Sequence, residues 1–137
     1  MLMSDFNFPI RVYYEDTDSG GVVYHSQYLN FMERARTEWL RNLGFEQDVL
    51  REQHNCIFVV RKAQIDFLKP ARFNDILTVI THLEETAHAS FYLSQYILHH
   101  QSDELLCKAT IKIAAIYPQT FKPRRIPEMI LKGITNG

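Results

Sequence analysis

The chain lacks most of the features that would tie it to a metal, a membrane or a nucleic acid. It has two cysteines in 137 residues, Cys56 and Cys107. They lack CxxC spacing, so the expectation is two free thiols in a reducing compartment rather than a disulfide framework. No apolar run approaches the ~18 residues of a membrane-spanning helix, and no membrane insertion is expected. The opening residues MLMSDFNF hold neither a basic n-region nor a long apolar stretch. No secretory leader is therefore expected, and the default location is the cytoplasm. Charge of one sign is missing too: 15 Lys+Arg against 16 Asp+Glu leave a formal net charge of −1. No global field favours nucleic acid. The histidines form no HxxxH or HxH pattern, and the adjacent His99 and His100 would face opposite ways on a strand, so no metal is expected. There is no GxSxG elbow and no P-loop, and Gly20-Gly21 alone is too little for a dinucleotide motif. No cofactor is expected, and no internal repeat or low-complexity tract is present.

What is there is an ordinary globular mixture, 46% hydrophobic and 23% charged, long enough for a single domain over residues 1–137. Residues 8–15 alternate, with Phe8, Ile10, Val12 and Tyr14 on one face, and predict a half-buried strand. Residues 26–43 predict an amphipathic helix of roughly 27 Å. Tyr28, Phe31, Met32, Ala35, Trp39, Leu40 and Leu43 form its apolar stripe, and Glu33, Arg34, Arg36, Glu38 and Arg41 mostly take the other side. Gly44 is placed to end it. A short helix is expected at 46–53. The period then switches to two over 57–69, 76–85, 90–99 and 105–117. Arg61 interrupts the first of these while Phe58 and Val60 are apolar on its opposite face, which a bulge or a strand buried on both sides at its start would explain. Pro127 opens a short closing helix over 127–134. Four strands joined by short turns imply an antiparallel meander, with the first strand ahead of the helix. One helix covers such a sheet only if the sheet curls around it, or if a second copy supplies the remaining cover.

The chemistry concentrates in residues 14–44. An acidic cluster, Glu15, Asp16 and Asp18, precedes Ser19-Gly20-Gly21 and then a helix start. The first unpaired N–H groups of a helix carry partial positive charge, so a carboxylate just upstream works beside a ready-made oxyanion site. Asp18 is a candidate nucleophile or general base, and Asp before Ser-Gly-Gly is equally ordinary turn chemistry. Asp16 is in phase with Asp18. If the extended run continues, both see one cleft and one pKa is pushed upward. His25 at the helix start offers its ring or its backbone N–H, and Tyr14 a hydroxyl. Lys122, Arg124 and Arg125 put three cations in four residues, suited either to phosphate groups or to a solvated surface.

The run RVYYEDTDSGGVVYHSQYLNFMERARTEWL resembles the signature of the 4-hydroxybenzoyl-CoA thioesterase family, and most of all its YbgC branch, the acyl-CoA thioesterases associated with the bacterial Tol-Pal system. FVVRKAQIDFLKPARFNDIL and FKPRRIP extend the resemblance over nearly the whole chain. It implies an α+β hotdog fold, a five-stranded antiparallel sheet wrapped around one long helix, assembled as a homodimer or homotetramer by edge pairing. It implies hydrolysis of acyl-CoA thioesters without a cofactor. The second aspartate of DTD, Asp18, is then the catalytic carboxylate, with the backbone N–H of His25 polarising the carbonyl and Tyr14 associated with the site. One departure stands out: the 4-hydroxybenzoyl enzyme has a Lys-Ser pair, the lysine holding CoA phosphates, where this chain has Ala89-Ser90. Lys122, Arg124 and Arg125 are the candidate replacements. Two rival readings remain, a hotdog dehydratase and a non-catalytic acyl-carrier-protein-binding protein of phospholipid metabolism. Dehydratases pair a His with a distant acid, and His25 with Glu33 or Glu38 matches that poorly.

Overall fold

The computed structural model describes residues 5–136. Residues 1–4, on which the reading of the N-terminus partly rests, lie outside the described residues, as does residue 137. In chain order the elements are β1 (Phe6–Arg11), a 3-10 turn (Tyr14–Asp16), α1 (His25–Asn42), α2 (Gln47–His54), β2 (Ile57–Phe67), β3 (Ile76–Thr86), β4 (Ser90–His99), β5 (Leu105–Ile116) and α3 (Glu128–Asn136). The strands form one sheet in the order β1-β3-β4-β5-β2, and every neighbouring pair is antiparallel. This is the expected hotdog arrangement, with α1 against the inner face. Among the described residues no helix is long and apolar enough to cross a membrane.

Period two in the sequence becomes the two faces of the sheet. Leu77, Val79 and Thr81 of β3, Phe91, Leu93, Gln95 and Ile97 of β4, and Cys107, Ala109, Ile111 and Ile113 of β5 are all buried. Against them lie Tyr28, Phe31, Met32, Ala35, Trp39 and Leu40 of α1. Large apolar side chains removed from water contribute about 1.5–3 kcal/mol each, so this one layer supplies most of the fold's driving force. At the far end of α1, Gly44 N donates to Arg41 O and Phe45 N to Leu40 O, both at 2.9 Å. These two bonds make a Schellman cap, with Gly44 at φ +95°. The interruption at Arg61 is a bulge: Val60 pairs with Ile113 and Lys62 with Lys112, leaving Arg61 unopposed.

The first strand departs from expectation. It ends at Arg11, and Tyr14–Asp16 coil into the 3-10 turn. Asp16 is the cause. Its Oδ2 accepts from Tyr13 N at 2.8 Å, closing the chain on itself where an extended strand would have continued. Tyr14 is therefore not on the inner face with Ile10 and Val12. It is 78% exposed.

Candidate active site

Residues 17–23 form a tight hairpin that hands the chain from the 3-10 turn to α1. Thr17 bridges Val23, and Val22 bridges Arg72. Asp18 N donates to Val22 O at 2.9 Å, and Gly21 N to Asp18 O at 3.0 Å. The Asp18 carboxylate turns back over this loop. Its Oδ1 accepts from Gly20 N at 2.8 Å and from Val22 N at 3.4 Å. A Cβ on residue 20 would lie 3.1 Å from that oxygen, so glycine allows the amide its close approach. Among the described residues no hydrogen bond engages Oδ2. One oxygen is anchored and the other is left for chemistry.

Asp16 is held quite differently. It is 3% exposed, and while Oδ2 takes Tyr13 N, Oδ1 accepts from Gln27 Nε2 at 2.8 Å. Its own carbonyl accepts from Tyr24 N at 3.1 Å. Asp16 thus ties the 3-10 turn to the first turn of α1, with both oxygens engaged, and the two carboxylates do not share one cleft.

Helix α1 starts at His25 behind Tyr24, and no side chain caps it. Gln27 N donates to Tyr24 O at 3.0 Å. Among the described residues the N–H groups of His25 and Ser26 have no hydrogen-bond partner, at the positive end of 18 aligned residues. The His25 ring stacks on Phe67 at the end of β2, with centroids 4.3 Å apart and planes at 19°. Below it Tyr28 is buried, its hydroxyl accepting from Ala71 N at 2.9 Å. Burial raises the Tyr28 pKa, and the Ala71 bond opposes that. His25, Tyr28, Val22, Val23 and the run Phe67-Leu68-Lys69-Pro70 line a cleft of about 180 Å³. Phe67, Tyr28 and Gln27 had no catalytic signature in the sequence. Their only marker was position within the two matched segments.

Asp18 does not itself line this cleft; it is bonded twice to Val22, which does. Tyr14 does not line it: its ring stacks on Phe73, centroids 4.5 Å apart. The three cations lie at the other end of the sheet, where Pro123 bridges Ile116 and Ile116 pairs with Ile57. Phe67 closes the opposite end of β2, about 33 Å away at ~3.3 Å per residue. Arg124 donates from Nη1 to the carbonyls of His54 at 2.6 Å and Asn55 at 3.2 Å, which end α2. Lys122 and Arg125 are exposed. Among the described residues no group of three or more His, Cys, Asp or Glu side chains is placed to hold a metal ion.

Comparison with known proteins agrees with this geometry. A family model described as the thioesterase-like superfamily matches residues 12–134. The acyl-CoA thioesterase YbgC of Haemophilus influenzae is 44% identical over 130 residues, covering 95% of this chain and 94% of the relative. The acyl-CoA thioester hydrolase YbgC of Escherichia coli O6:H1 is 41% identical and covers 92% of each chain. Among solved structures, a probable thioesterase from Bartonella henselae superposes with a TM-score of 0.85 at 41% identity, covering 90% of this chain and 99% of that one. A 1,4-dihydroxy-2-naphthoyl-CoA thioesterase from Synechocystis superposes with a TM-score of 0.89 at 26% identity, covering 96% of each. The sheet curled on one helix, the DTD hairpin before its uncapped N-terminus and these likenesses lead to one assignment: the chain belongs to the thioesterase-like superfamily, in its branch of YbgC-like acyl-CoA thioesterases.

Proposed function

We propose that the protein hydrolyses acyl-CoA thioesters, with Asp18 delivering the attacking oxygen and the first free N–H groups of α1 receiving the oxyanion. The observation that carries this reading is the asymmetric Asp18 carboxylate, pinned through Oδ1 by Gly20 and Val22 and open at Oδ2, in the hairpin that leads into an uncapped helix N-terminus. The oxygen is Asp18's own or that of a water it deprotonates. In both cases a C–O bond forms, the carbonyl π electrons move onto the oxyanion and return as the C–S bond breaks, and the CoA thiolate leaves. With water as nucleophile, Asp18 takes its proton and passes it to the thiolate as the free acid is released. Attack by Asp18 itself leaves an acyl–Asp18 anhydride that a water then hydrolyses to the acid and the regenerated carboxylate. Donors already aimed at the developing charge favour the transition state over the ground state. The His25 imidazole lies flat on Phe67, which leaves its backbone N–H as the contribution to the oxyanion site. Tyr14 is assigned to the rim rather than to the chemistry.

Asp18→Asn tests the assignment. It is expected to lower kcat on short acyl-CoAs by about 10²-fold or more, the usual effect of losing a positioned catalytic group, with an unchanged circular-dichroism spectrum. Turnover near wild type in that folded variant would refute it. A single turnover in ¹⁸O-water bears on the two routes. Label in the Asp18 carboxylate requires an acyl–Asp18 anhydride opened at the aspartyl carbon, whereas activated water, or opening of an anhydride at the acyl carbon, places the label only in the released acid.

The same reading extends to assembly. β2 is an edge strand of 11 residues without proline or glycine, whereas the other edge, β1, carries Pro9, which removes an N–H donor. Val60, Phe67 and Leu68 on the β2 side are 47%, 43% and 50% exposed. Antiparallel pairing of β2 with a second copy would bring the Ile57 end of one strand beside the Phe67 end of the other. The partner's Lys122 and Arg125 would then stand near the cleft at His25, as the phosphate rim for CoA. Their segment runs beside the Ala89-Ser90 turn: Ala115 N donates to Ala89 O at 2.8 Å, and Ile126 N to His88 O at 2.7 Å. These cations thus adjoin the turn that carries the lysine in the 4-hydroxybenzoyl enzyme.

A further inference from the structure

A second cavity, of about 190 Å³, opens between the C-terminal half of α1 and the β2 side of the sheet. One side of its wall is apolar, made by Trp39, Leu40, Phe58, Phe91, Leu93 and Ile113, and Thr37 and Gln47 add polar groups. Arg36 and Glu33 supply its charged side. Arg36 donates from Nη1 to Gln95 Oε1 at 3.0 Å. Gln95 is fully buried, and its amide nitrogen is fixed by donating to Met32 O at 3.1 Å and to the Thr81 hydroxyl at 2.9 Å. The guanidinium is thus locked in place through one of its five N–H donors. Among the described residues no carboxylate forms an ion pair with it. Burial pushes its pKa down, and Glu33 pushes back. Arg36 is half-buried, and with one donor spent on Gln95 its remaining N–H donors are available to an anion that enters the cavity.

We propose that this cavity binds a short-chain carboxylate, its anion received by Arg36 and its tail held among Trp39, Phe58 and Phe91. At the ~30 Å³ that a water-sized group occupies, the volume holds about six such groups, close to a four- or five-carbon acid. Arg36 lies about 16 Å along α1 from His25 at ~1.5 Å per residue, so the cavity is distinct from the cleft of the same protomer. Two sources supply this chemistry. One is the free acid that thioester hydrolysis releases. The other is the distal carboxylate of a dicarboxylic acyl group delivered from a partner's cleft; both sources rest on the thioesterase reading, and the carboxylate site itself does not.

Trp39 is the only tryptophan in the chain and lines the cavity, so its fluorescence reports occupancy without turnover. Butyrate is expected to shift Trp39 emission saturably. Butyramide, of the same size but uncharged, should bind at least about 10-fold more weakly, the usual margin for a charge-assisted contact. Arg36→Met should abolish that discrimination. No butyrate response, or equal responses to acid and amide, overturns the proposal. The first of these is also the result if a side chain of a second copy fills the cavity. If Arg36→Met does not fold, the acid–amide comparison on the native protein decides alone. The source is read from kcat/KM for glutaryl-CoA against its uncharged isostere 5-methylhexanoyl-CoA. A preference for glutaryl-CoA of about 10-fold or more, lost in Arg36→Met, assigns the site to the acyl group. Butyrate binding without that preference assigns it to the free acid. Because binding is read at Trp39, an inactive protein that still binds butyrate would sink the thioesterase reading and leave this one standing.

Discussion

Two aspartates two positions apart are held differently, and substitution should separate the stability of one from the proposed catalysis of the other. Asp16 holds Tyr13 N and the Gln27 amide from a buried position. Asp16→Ala strands both donors, and at about 1.5–3 kcal/mol for a bond to a charged acceptor it should cost about 3 kcal/mol of stability. Urea unfolding of Asp16→Ala beside Asp18→Asn checks this. The first should lose stability and the second activity, and a stable Asp16→Ala protein would mean that the 3-10 turn needs no such tie. The sequence put the two carboxylates in phase, and only the fold separates them, because the partner that fixes Asp16 lies 11 residues away. Arg36 teaches the same lesson. Periodicity assigns it to the polar side of α1, yet a glutamine 59 residues on draws it inward. Cys107 adds a pH prediction. Burial, and secondarily the Asp66 carboxylate, push its thiol from 9.0 up to about 11. The folded state keeps the proton longer than the unfolded one. This contribution is therefore complete below pH 9 and disappears as pH rises through about 11. The urea midpoint should fall across that window, and fall less steeply in Cys107→Ala. Tyr28, raised by burial, adds a decline of the same sign at higher pH.

At the scale of elements, regular alternation and capping were legible, and loop geometry was not. β3, β4 and β5 read cleanly because their buried and exposed residues strictly alternate over most of their length. The bulge at Arg61 was visible because one residue breaks phase, and the end of α1 because Gly44 follows the last apolar position. The end of β1 was misread because Val12 and Tyr14 continue its alternation, while a carboxylate two residues beyond Tyr14 overrides it. Gly44 offers the cleanest test at this scale. A Cβ there would meet nothing within 4 Å, so Gly44→Ala carries no clash, only the strain of φ +95°. It should lower stability by about 1 kcal/mol, and Gly44→Asn, better suited to the left-handed region, by less. Thermal melts of the pair check this. Equal melting temperatures for the two variants would mean that the helix end relaxes into another cap.

For the whole molecule the open question is whether one chain holds a complete site. The cleft at His25 and the exposed Lys122 and Arg125 lie at opposite ends of β2, so a single protomer cannot present both to one CoA. The proposed pairing of β2 edges would bring them together across a two-fold axis, and complementation between two defective chains tests this. One chain carries Asp18→Asn with its cations intact; the other keeps Asp18 but carries Lys122→Ala and Arg125→Ala. If the cations act in trans, the mixed dimer holds one fully competent site, made of Asp18 from the second chain and the cations from the first. Mixing should then restore a low KM for acyl-CoA and about half the native kcat per mixed dimer, one site of two, by the subunit arithmetic of an isologous two-fold interface. If they act in cis, the only active carboxylate sits in a chain without cations, and KM stays as high as in the double variant alone. Acyl-pantetheine, which lacks the nucleotide phosphates, serves as the control: its KM should be indifferent to the cations in every combination. A raised KM for acyl-pantetheine in the double variant would instead trace the loss to the turn beside Ala89 and Ser90, and the basic segment would then be a structural brace rather than a phosphate rim.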